Sequence, residues 1–85
     1  MNPAYSKIVS CASLGDYQGI INQQNQLLVE KMRLDKFFSL FLDKFERKMD
    51  PENTDTPIWK LYKTKLKEYA DVQQAITAAT YYLRK

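Results

Sequence analysis

The side chains able to do chemistry are few and poorly grouped. Two carboxylate pairs lie close in sequence, Asp43 with Glu46 and Asp50 with Glu52, and paired carboxylates are the usual equipment for general acid–base work. Such a pair needs a pocket that shifts its pKa values, and nothing adjacent suggests one, so both read more simply as helix-surface and turn residues. The chain has no histidine, one cysteine (Cys11), no glycine-rich phosphate loop and no metal-ligand spacing. Cys11 reads as a small buried side chain, and without a second thiol there is no intramolecular disulfide framework, which fits a reducing compartment. No catalytic residue, cofactor or metal is expected.

Cations form the second chemical group. Arg33, Lys36, Lys44 and Arg47 share the outer face of one predicted helix, and Lys60, Lys63 and Lys67 form a stripe on the outside of another. Such stripes neutralise phosphates, and Trp59 or Tyr81 could stack on bases, so a basic nucleic-acid-associated protein is an alternative function. Against it, Glu30, Asp43, Glu68 and Asp71 border the same faces, and 13 Lys and Arg against 10 Asp and Glu leave a net charge of only +3. A mixed-charge, solvated surface is the simpler meaning.

The elements that must position these groups are helical. Ile58, Tyr62, Lys65, Tyr69, Val72, Ile76, Ala79 and Leu83 are spaced by alternating fours and threes, which keeps one stripe facing a partner helix in a left-handed coiled coil. Asn2-Pro3 predicts the start of a short helix over about 3–12, ended by Leu14-Gly15; Asp16 caps a long helix over about 16–49. On that helix Tyr17, Ile20, Ile21, Leu27, Leu28, Met32, Leu34, Phe38, Leu42, Phe45 and Met49 fall on an arc of about 160°, the expected core face. Val29, Phe37 and Leu40 fall on the other side and imply a second contact surface. Residues 50–56, rich in short polar side chains and proline, predict a turn; Thr56 then caps, and Pro57 begins, a last helix over about 57–84. The expected fold is all-α, a single domain over 1–85 with a short N-terminal helix and a long antiparallel hairpin, completed by oligomerisation into a bundle.

Polar residues inside the apolar stripes have a defined expectation. Gln24 reads as a polar core layer within the run Asn22–Gln26, and Lys65 faces a possible bridge to Asp35 or Glu46, with Lys31 beside Asp35 on the same arc. Trp59, Leu66, Ala70 and Tyr81 form a secondary apolar stripe beside the main seam. The protein-interface candidates are accordingly Phe37, Leu40, Phe41, Trp59, Tyr62, Leu66, Tyr69, Val72, Ile76 and Tyr81, with Phe37, Phe41 and Trp59 as aromatic anchors.

Leu61-Tyr62-Lys63-Thr64-Lys65-Leu66-Lys67-Glu68-Tyr69, which follows a proline-bearing turn, resembles the segment after the turn in type III secretion needle subunits. The resemblance covers about nine residues and implies a helical hairpin of similar size that polymerises. The aromatic cluster of residues 37–42 and the end of the chain, residues 81–85, depart from that pattern.

Taken together, these features point to a non-catalytic helical protein–protein interaction module: a homo-oligomeric structural or adaptor protein, or a small modulator of another protein, such as a viral accessory protein. Its expected partners are copies of itself or another helical protein. No signal peptide is recognised at the N-terminus, and no apolar run approaches the roughly 20 residues of a membrane span, so the expected location is the cytoplasm or, for a viral protein, the particle.

Overall fold

The computed structural model describes residues 2–84 and contains, among them, helices and turns with no strand. Helix α1 spans Pro3–Ser13, α2 spans Tyr17–Phe45, a short 3-10 turn follows over Glu46–Lys48, and α3 spans Pro57–Leu83.

Each helix starts where a short polar side chain satisfies the free amides of the first turn. Asn2 Oδ1 accepts from the Tyr5 N–H, Asp16 Oδ1 from the Gly19 N–H, and Thr56 Oγ1 from the Trp59 N–H. Helix α1 ends in a Schellman arrangement: the Asp16 N–H donates to the Cys11 carbonyl and the Gly15 N–H to the Ala12 carbonyl, while Gly15 takes φ 70°. The left-handed conformation at Gly15 lets α2 begin one residue after Asp16. Gly19 serves closeness of approach instead. A Cβ there would run into the Asp16 carboxylate and lie 3.0 Å from Cys11 Sγ, so the absent side chain lets the end of α1 sit on the start of α2.

Helix α2 is shorter than the spacing predicts, ending at Phe45 rather than near Met49. Met49 is extended (φ −92°, ψ 97°), and Asp50 precedes Pro51, a position from which the helical conformation is sterically discouraged. The Trp59 indole N–H then donates to the Asp50 carbonyl at 2.9 Å, tying the turn back to α3.

Contacts between α2 and α3 pair rising with falling residue numbers: Gln24 meets Thr80, Phe38 meets Tyr69, and Phe41 meets Tyr62. The two helices therefore run side by side in opposite directions, and the molecule is a rod of 48 × 22 × 16 Å. Ile20, Leu27, Leu34 and Phe41, spaced by sevens, form the buried line of α2. This line is rotated by about 70° from the centre of the apolar arc read from the sequence, and Ile21, Leu28 and Met32 on the far side of that arc are exposed. One neighbouring helix cannot cover 160° of surface, and α1 packs against the other flank of α2.

At the end of the rod away from the turn, α1 joins α2 and α3 around Ile8, Ile20, Leu27, Ala75 and Ala79. Ala75 and Ala79 are fully buried, and their small side chains allow α1 to approach α3 closely. Asn2 fastens the contact, its Nδ2 donating to the Asp71 carbonyl at 2.8 Å and to Gln74 Oε1 at 3.3 Å.

Candidate protein-interaction face

Toward the turn, where α1 does not reach, the two long helices are held by aromatic rings. Phe41 is buried and central: its ring stacks on Phe37 (5.4 Å between centroids) and Tyr62 (5.8 Å), and lies 5.0 Å from Phe45. Phe38 meets Tyr62 and Tyr69 edge-on, and Trp59 meets Tyr62 edge-on. These geometries favour the ring quadrupoles. Lysines cap the outside of the cluster, with Lys65 Nζ 5.4 Å from the Phe37 centroid and Lys44 Nζ 5.3 Å from that of Phe45.

The ten residues expected at a protein interface thus divide. Phe41 is buried within the chain; Phe37, Trp59, Tyr62, Tyr69, Val72 and Ile76 are half-buried in contacts between the helices. Leu40, Leu66 and Tyr81 stand exposed, at 59%, 43% and 55% of their surface. Tyr81 packs edge-on against Tyr82. Its ring lines a groove of about 470 Å³ that Tyr5 of α1 closes on the other side. Lys65 pairs with Glu68 at 3.3 Å, one turn along its own helix, and forms no ion pair with Asp35 or Glu46. Its stem covers the core margin while its ammonium lies over Phe37, which makes the bridge across the helices unnecessary. Gln24 does form a layer between helices: its Nε2 donates to Thr80 Oγ1 at 3.2 Å, and that hydroxyl in turn donates to the Ile76 carbonyl.

All seven candidate cations, Arg33, Lys36, Lys44, Arg47, Lys60, Lys63 and Lys67, are exposed. They are not gathered on one surface: Lys44 is drawn to Phe45, Arg33 faces Glu30 at 3.9 Å, and Lys63 donates to the Thr54 carbonyl at 3.4 Å.

Three residues that sequence reasoning placed in the core define the most open surface. Helix α1 covers α2 on the side of Gln23, Gln26 and Glu30, and α3 on the side of Asp71 and Gln74. On the side away from α1, α2 exposes Ile21, Leu28 and Met32, the last at 71%, and α3 exposes Leu66 nearer the turn. The apolar groups cross this face diagonally, from the first half of α2 to the first half of α3. Polar residues fill the two remaining corners: Asp35 and Ser39 on α2, and Gln73, Thr77 and Arg84 on α3. The signal in the sequence was the excessive width of the α2 arc.

No helix among the described residues is long and apolar enough to cross a membrane. No family model matches the chain, and neither a curated protein nor a solved structure matches it.

Proposed function

We propose that the protein is a non-catalytic helical interaction module, whose work is done by the face of α2 and α3 opposite α1. The observation that carries this function is the exposure of Ile21, Leu28 and Met32 in one stripe on a helix whose other flank is already covered by α1. Apolar surface left in water at roughly 25 cal/mol per Å² favours association with a partner that covers it, and a stripe at helical spacing suits a helix. The basic residues support solubility and orientation of that partner more than phosphate binding, because anionic side chains are interspersed among them.

Photo-crosslinking tests the function. A photoreactive residue at position 32, where the side chain is largely in solvent, is expected to give one discrete adduct; the same group at position 44, on the outer face, is expected to give none. Rising sulfate should strengthen the adduct-forming association, as expected for apolar contact, whereas phosphate recognition would weaken steeply with salt. Equal labelling from both positions, or none from position 32, overturns the assignment.

A further inference from the structure

We propose that Met32 is a redox switch on this face: oxidation of its thioether by a hydroperoxide releases the partner, and reduction of the sulfoxide readmits it. The switch rests on the interaction function above and adds a means of regulating it.

Placement is the first support. Phe38 meets Tyr69 and Phe41 meets Tyr62, which sets Leu66 at the height of residues 38–41 of α2. Along the rod the exposed apolar side chains therefore follow in the order Ile21, Leu28, Met32, Leu66. Met32 joins the part of the stripe on α2 to the part on α3, and at 71% it is the most exposed of the four.

Reactivity is the second support. The side chains of Ile21, Leu28 and Leu66 carry no group that a peroxide attacks, and oxidation of methionine follows exposure. Of the two methionines among the described residues, Met49 is half-buried where the turn begins. The thiol of Cys11 is packed against the core where α1 sits on α2. In the step itself a lone pair on Met32 Sδ attacks one peroxide oxygen. An S–O bond forms and the O–O bond breaks; the sulfur gives up two electrons, and the departing oxygen leaves, protonated, as water or an alcohol.

The consequence lies on the face and not in the fold. A thioether is apolar and unbranched and adapts to a facing surface, whereas a sulfoxide carries a strong hydrogen-bond acceptor. A partner that closes over the stripe must dehydrate that oxygen without a donor to satisfy it, which weakens association by about tenfold or more. The helices are unaffected because the side chain lies in solvent. Association and oxidation also exclude each other: a partner on the stripe shields the sulfur, so only the free chain is oxidised.

A time course of hydrogen peroxide treatment of the full chain, with a photoreactive residue at position 28, tests the switch. Each sample is freed of peroxide, mapped by peptide mass spectrometry, and photolysed in dialysed cell extract. Met32 sulfoxide is expected to form before Met49 sulfoxide, with helical circular dichroism retained. The adduct should fall about tenfold as Met32 is converted and return after treatment with methionine sulfoxide reductase. A chain with both Cys11→Ala and Met49→Leu should respond in the same way, and Met32→Gln should lose the adduct without peroxide. An adduct that survives full conversion of Met32, a loss that the double variant abolishes, or a loss that accompanies unfolding overturns the switch and leaves the interaction function standing. Prior oxidation of Met49 overturns it as well. No adduct from position 28 or 32 in the reduced chain overturns the interaction function, and the switch with it.

Discussion

Around Ile20 and Ala79 three helices close on aliphatic side chains, whereas around Phe41 and Tyr62 two helices close on rings. The first end reaches full burial with small residues because a third helix excludes water. The second has no third helix and uses wide, flat side chains that shield one another, with lysine stems and ammonium groups along the edges. A two-layer structure can thus be closed either by adding an element or by enlarging the side chains. Only the first method leaves the interior insensitive to what binds outside.

The strongest way to break this comparison is Phe41→Ala, which removes the ring that joins Phe37, Phe45 and Tyr62. A loss of about 3–5 kcal/mol is expected from urea denaturation, and hydrogen exchange should accelerate more over 37–66 than around Ile20 and Ala79. Ile8→Ala tests the other end by emptying the fully buried position of α1. It should cost about 2–4 kcal/mol and release the amides of α1 while the aromatic end keeps its protection. Asn2→Ala removes a helix cap together with the two hydrogen bonds to α3, and should lower stability by about 1–2 kcal/mol, read as a fall in melting temperature. The smallest effect is expected of Gln24→Leu. Thr80 keeps its bond to the Ile76 carbonyl, so no buried group is orphaned, and stability should change by less than about 1 kcal/mol in the stabilising direction, seen as a rise in the urea midpoint at constant slope.

The starts of the helices were legible because capping is local: Asn2-Pro3, Asp16 and Thr56-Pro57 each act on amides within three residues. The end of α1 at Gly15 was legible for the same reason. The rotation of α2 was not, because it depends on where α1 lands, and α1 is recruited by Ala75 and Ala79, whose short side chains give almost no hydropathy signal. Ala75 fell outside the seam of fours and threes altogether. The stopping point of α2 depends on Pro51 and on a hydrogen bond from Trp59, nine residues beyond Asp50. Of the candidate face, the α3 part at Leu66 was visible as a secondary stripe; the α2 part was hidden because Ile21, Leu28 and Met32 fit a core pattern equally well.

The bond from the Trp59 indole to the Asp50 carbonyl also gives the molecule a natural optical asymmetry. The chain's single tryptophan sits where the turn meets α3, while Tyr5, Tyr17, Tyr81 and Tyr82 mark the other end. Tyr62 and Tyr69 belong to the aromatic cluster at the turn end, and Tyr62 packs on the indole itself, so tryptophan emission follows the turn and this cluster and reports fraying at that end without any attached dye.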